Sequence, residues 1–181
     1  MVFSSIYKDL KWKPQAINNS PMGYSRYTEL LSQMSTTLFD DHSRAANPSI
    51  IHQFYKSGCH KAFFELLVDN LAPSLEGYSK NGLSEVLVEW CRLAGKLANR
   101  NNMTQNDGSA RTNHRFGLSM DFDVNKYLKL VCRDLFNAFT CLFERLSLCE
   151  HNDLSSYQEL CENAFSVFNE NVSINGFIFL L

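Results

Sequence analysis

The 181-residue sequence is poor in helix breakers: it has 4 prolines and 8 glycines. That scarcity is usual in helix-rich chains, because proline disrupts a helix interior and glycine weakens it. No apolar run approaches the roughly 20 residues that a membrane-crossing helix needs, and the closing Gly176–Leu181 run is too short. The first ten residues lack the basic stretch before an apolar core that marks a secretory leader. Neither sign of charge dominates. The formal net charge is -2, which leaves no electrostatic footprint for nucleic acid or for an anionic membrane. No two of the six cysteines form a C-x-x-C pair, so they read as reduced thiols in a cytoplasmic or nuclear setting. There is no P-loop, no G-x-G-x-x-G after a strand, no H-E-x-x-H and no G-x-S-x-G. The expectation is a chain with no catalytic residue, no cofactor, no metal and no membrane association, and with nucleic acid disfavoured as a partner.

What is present is ordinary globular composition, 45% hydrophobic and 20% charged, in a length that suits one domain or a short stack of helical repeats. Residues 1–24 read as irregular: Lys13-Pro14 and Ser20-Pro21 disfavour helix before each proline, and Asn18-Asn19 is turn chemistry. Leu30, Leu31, Met34 and Leu38 then predict a helix from Tyr24 to about Phe39. Asn47-Pro48 is a helix start, with Asn as cap and Pro at the first position. Ile50, Ile51, Phe54 and Tyr55 follow on one face, Ser57-Gly58 marks a joint, and Phe63 to Leu71 continue the pattern up to Pro73. After a loop over 73–82, the apolar residues Leu83, Val86, Leu87, Trp90, Leu93, Ala94 and Leu97 make one buried stripe. On its other side Glu89 pairs with Arg92 and Lys96 is solvated. Residues 100–121 are the most polar stretch and read as a long loop. Asp121 or Asp123 caps a helix from about Val124 to Leu148, and Asn152-Asp153 caps a last helix ending near 169–171. Only Val172–Phe179 hints at a strand.

The fold class predicted is all-α, an irregular armadillo- or HEAT-like helical repeat in which no strict internal repeat is visible. It divides into an irregular segment 1–24, a helical region 25–171 with the polar loop 100–121, and an apolar tail 172–181. Phe64, Trp90, Leu93 and Phe139 are the residues expected to carry the core.

Candidate chemistry is thin. Cys59-His60 is the one pair suggestive of a thiol nucleophile, but neighbours on a helix point about 100° apart. Core packing for Cys59 and a surface or capping role for His60 are favoured. Cys149-x-His151 has the spacing of half a zinc site, but no second half stands at the required spacing, and a buried Cys before a polar turn is strongly favoured. Asp40-Asp41 suits a turn better than a metal. Trp90 lies in the apolar stripe, while Trp12 stays open as a recognition aromatic. Arg111, His114 and Arg115 form a small basic patch with only Phe116 for stacking, the usual content of a solvated loop.

Several short pieces, taken in order, carry a resemblance. Leu10-Lys-Trp-Lys-Pro14 has a Leu-x-Trp-x-Pro pattern, Leu38-Phe-Asp-Asp41 follows, and then Ser57-Gly-Cys-His-Lys-Ala-Phe-Phe-Glu65. Next come the helix Leu83 to Asn99, with its Trp and final Asn, and Ala138-Phe-Thr-Cys141. Glu159 to Val167 aligns more loosely. Together they resemble, collinearly and over nearly the whole chain, a segment of the giant HECT-type E3 ubiquitin ligases that also carry UBA and WWE domains. The resemblance implies a place in the long armadillo-like scaffold ahead of the UBA domain. That scaffold gathers substrates for a distant HECT domain, whose cysteine passes ubiquitin from an E2 to a substrate lysine. Nothing here resembles a HECT, UBA or WWE domain, so none of the six cysteines inherits the catalytic role. Cys59 stands where the family has glycine, loop 100–121 differs in content, and the likeness stops after about Asn171. The unmatched apolar tail suggests a partial gene product.

Three functions follow as expectations. The first is a non-catalytic scaffold fragment of such a ligase, its partners being protein substrates and the ligase's remaining domains. The second is a free-standing helical adaptor for a protein partner. The third, a thiol enzyme using Cys59, is the least supported.

Overall fold

A computed structural model describes residues 2–11, 21–39, 46–73, 82–104, 122–148 and 154–172. Among these residues the chain is all-α, with no strand; Phe39 and Ala46 form an isolated antiparallel bridge. The helices are α1 (Val2–Leu10), α2 (Pro21–Leu38), α3 (Pro48–Lys56), α4 (Cys59–Leu66), α5 (Leu83–Ala98), α6 (Arg100–Thr104), α7 (Val124–Leu148) and α8 (Leu154–Val172). A π-helical turn, Leu67–Leu71, extends α4. No described helix is long and apolar enough to cross a membrane.

Local chemistry sets the helix starts. The Asn47 side chain accepts from the Ser49 and Ile50 N–H groups, with Pro48 at the first position of α3. Asp123 does the same for α7, its Oδ1 accepting the Lys126 N–H at 3.0 Å; this selects Asp123 of the two aspartates considered as caps. Each cap satisfies backbone donors that a helix start leaves without partners. Gly58 lies between α3 and α4 with φ at +83°. That left-handed conformation disfavours a side chain and lets the second helix leave in a new direction.

The buried residues form one hydrophobic cluster spanning α1 to α8, and α5 is its axis. Ten residues of α5 are buried, and the helix packs on α2, α7 and, most extensively, α8. Close approach to α8 follows from small side chains: Ala94 and Ala164 are both buried, and the Cys91 and Cys161 thiols are near enough to interact. Trp90 is fully buried among aromatic rings of α4 and α7. Phe64 and Leu93 are buried as well, while Phe139 is half-buried.

The N-terminal segment departs from expectation. Residues 1–24 are not irregular throughout, because Val2–Leu10 is helical and α2 begins at Pro21. Ile6 and Leu10, with Phe3, line one face by helical spacing and join the core. Pro21 opens α2, where its fixed φ and missing N–H cost nothing, in keeping with its disfavouring helix only before it. Polar loop 100–121 loses its first five residues to α6, which Asn99 caps by accepting the Asn101 N–H at 2.9 Å. Residues 105–121 lie outside the described part. Of tail 172–181, Val172 ends α8, which overrides its reading as the start of a strand; the other nine residues lie outside.

Candidate functional site

His60 is buried, contrary to the surface or capping role predicted for it. It sits in the first turn of α4, and its side chain ties α4 to α7. Nε2 lies 3.0 Å from Asp134 Oδ2 and Nδ1 lies 3.1 Å from the Tyr127 hydroxyl. Burial holds the imidazole pKa below its ordinary value, and the Asp134 contact opposes this only partly. The neutral ring therefore donates from Nε2–H to the carboxylate and accepts the Tyr127 O–H at Nδ1, which uses both nitrogens. Burial pushes the Tyr127 phenol well above its ordinary range, so it stays a donor. Asp134 Oδ1 also accepts from Arg133, at 3.0 Å from Nε and 2.9 Å from Nη2. The chain Tyr127–His60–Asp134–Arg133 thus runs from the core to the surface of α7.

Beside this chain, α3 and the first turns of α7 enclose a cleft of about 500 Å³. Lys56 lines it from α3; Lys126, Lys129 and Arg133 line it from α7; Asp123 is the one carboxylate in the lining. Tyr55, Phe122 and Tyr127 supply an aromatic wall, with ring centroids 6.1 Å apart for Tyr55–Tyr127 and 5.4 Å for Phe122–Tyr127. His52 completes the α3 side. Its Nδ1 is the one buried side-chain N or O atom without a hydrogen-bond partner among the described residues. The cleft can receive a ligand that carries both anionic and apolar groups.

Cys59 is fully buried, and its thiol donates to the Phe3 carbonyl at 3.2 Å. Burial raises its pKa, against a smaller opposing effect of the Ser57 hydroxyl. Burial outweighs the Ser57 hydroxyl and keeps the sulfur a packed thiol rather than a nucleophile. Although Cys59 and His60 adjoin in sequence, the imidazole nitrogens are engaged by Tyr127 and Asp134 instead. Cys132, by contrast, is exposed on α7. Lys96, expected to be solvated, donates to Ser35 Oγ at 2.8 Å and lies over the Phe39 ring. The expected Glu89–Arg92 pair forms. Trp12, Asp40, Asp41, Arg111, His114, Arg115, Phe116, Cys149, His151, Asn152 and Asp153 lie outside the described residues.

The cationic lining was readable but missed. Lys126, Lys129 and Arg133 recur at i, i+3 and i+7, the same spacing that identifies an apolar stripe. Nothing in the sequence places Lys56 opposite them; only the packing of α3 on α7 does. Among the described residues no group of three or more His, Cys, Asp or Glu is arranged to hold a metal ion. No family model, no curated protein and no solved structure matches the chain.

Proposed function

We propose that this chain is a non-catalytic part of a protein-binding helical scaffold, of the armadillo- or HEAT-like kind found in the giant HECT-type ubiquitin ligases that it resembles. The observation that carries the scaffold reading is the outer face of α7. Phe136 and Phe143, two turns apart on one face, are 68% and 53% exposed. Large apolar groups grouped on one helix face mark a surface that another protein layer covers. In a solenoid each helical layer buries the apolar face of the one before it.

The ligase assignment draws its support from the collinear resemblance, and the resembling pieces have structural work in common. Gly58 makes the α3–α4 joint, and His60 ties α4 to α7. Trp90 of the next piece stacks on Phe63, and Phe139 of the Ala138–Cys141 piece meets Trp90 edge-on at 6.0 Å. Residues far apart in sequence thus share one packing unit, as a scaffold segment requires. In such a ligase this segment would gather protein substrates, and ubiquitin transfer would occur on a distant domain.

Long-read sequencing of the transcript that encodes the chain tests this reading. A frame that continues into UBA, WWE and HECT domains supports it. A transcript encoding only this chain removes the ligase and leaves the second reading, a free-standing helical adaptor, which the same α7 face also favours.

A further inference from the structure

We propose that the cleft between α3 and α7 is a docking site for an extended acidic segment of a partner protein. The proposal rests on the scaffold reading in that it names the chemistry of a partner the scaffold would hold.

Charge is the first argument. Four cationic side chains line the cleft against one carboxylate, and that carboxylate, Asp123, is already engaged as the cap of α7. Among the described residues Lys56, Lys126 and Lys129 form no salt bridge, while Arg133 pairs with Asp134. Like charges at i,i+3 and i,i+4 on α7 repel and slightly weaken the helix. An anionic occupant would turn that repulsion into attraction.

Shape and spacing select the kind of anion. Lys129 and Arg133 are separated by about 6 Å of helix rise. Alternate side chains of an extended peptide lie about 6.6 Å apart on one side. Carboxylates at positions i and i+2 of such a peptide therefore match the two cations. The residue between them points away from that pair, and an apolar side chain there would have the aromatic lining to contact, including Tyr55, which is 46% exposed. A bare inorganic anion would use the lysines and leave the aromatic wall idle. The unpaired His52 Nδ1 on the same wall is a second departure from ordinary packing. Folded proteins hold few such groups, and a peptide N–H in the cleft would supply the missing partner.

The test is fluorescence anisotropy with the full chain and a labelled, end-capped octapeptide of alternating glutamate and phenylalanine. Saturable binding is expected at low salt, weakening as salt screens the lysines. The double variant Lys126→Glu, Lys129→Glu should lose roughly tenfold or more in affinity. Lys56→Glu, on the opposite wall, should weaken binding in the same direction. All three side chains are exposed, so circular dichroism should show unchanged folding; if the double variant is destabilised, Lys56→Glu carries the test. Three results would each overturn the proposal: no saturable binding, equal binding of the glutamine–phenylalanine peptide, or unchanged affinity in the folded charge reversals. Displacement of the peptide by an equal concentration of inorganic phosphate would also overturn it, by reducing the cleft to a simple anion site. The transcript decides ligase membership and the titration decides the cleft, so either can fail without the other.

Discussion

The indole of Trp90 lies stacked on the ring of Phe63, with centroids 5.0 Å apart and planes 10° from parallel, and its Nε1–H donates to the Phe63 carbonyl at 3.0 Å. Phe64 and Phe139 meet the same indole edge-on. The polar end of the side chain is thus satisfied inside an apolar cage, the condition under which a buried tryptophan contributes most.

Truncating this residue should be severe. Trp90→Ala removes the largest fully buried side chain and should lower unfolding free energy by about 3–5 kcal/mol. Phe136→Ala removes a comparable ring from an exposed site and should change stability by less than about 0.5 kcal/mol. Urea denaturation of both variants measures the contrast. Similar losses would mean that α5 is not the axis of the core, or that the outer face of α7 is covered.

The His60 network makes stability depend on pH with a definite sign. Burial lowers the folded-state pKa below the ordinary 6.5. Between those two values the unfolded chain binds a proton that folded His60 does not, so stability falls as pH drops through 6.5. Below the folded-state pKa the dependence flattens. The slope contributed by this one group is at most about 1.4 kcal/mol per pH unit. Melting curves from about pH 7.5 to 5 should show the decline, and His60→Gln should remove that part of it. Tyr127→Phe leaves Nδ1 without its donor and should cost about 1–3 kcal/mol at neutral pH. A wild-type chain whose melting temperature rises on acidification through this range would contradict the buried neutral imidazole.

The same residue shows what was legible in the sequence. The apolar stripe of α5 was readable because helical spacing alone separates its buried face from its charged one. The caps Asn47 and Asp123 were readable because capping is local. His60 was not, because its burial depends on Tyr127 and Asp134, 67 and 74 positions away. α1 was missed for a related reason: nine residues are marginal as an isolated helix, and this one gains its stability by placing Ile6 and Leu10 in the core. The cleft required α3 and α7 to be brought together, which neither segment encodes by itself.

Two glycines should respond unequally to the same substitution. Both have φ in the left-handed region, at +83° for Gly58 and +101° for Gly82, where a side chain costs about 1–2 kcal/mol. A Cβ on Gly82 would lie 2.8 Å from Tyr24 Cβ, an atom next to the backbone of α2. A Cβ on Gly58 would lie 3.2 Å from the ring edge of Tyr7, which is 38% exposed and free to swing. Gly82→Ala should therefore lower the melting temperature more than Gly58→Ala. The reverse order would show that the Ser57-Gly58 joint, not the start of α5, is the tighter constraint.

Cysteine labelling separates a packed scaffold from a thiol enzyme. Cys132 is exposed, whereas Cys59 and Cys91 are buried. Burial pushes the Cys91 thiol up to about 12 and the half-buried Cys161 thiol up to about 11, and it raises Cys59 as well. The thiolate is the species that alkylates; burial raises the Cys132 thiol too, so exposure is what favours Cys132 at neutral pH. Peptide mapping after a short pulse of iodoacetamide should find Cys132 modified ahead of these three. Cys59 and Cys91 should react only as fast as the chain opens, and both should be accelerated by Trp90→Ala. If Cys59 reacted faster than Cys132 in the folded protein, an activated thiolate would exist there. Catalysis at Cys59 would then have to replace packing as its role.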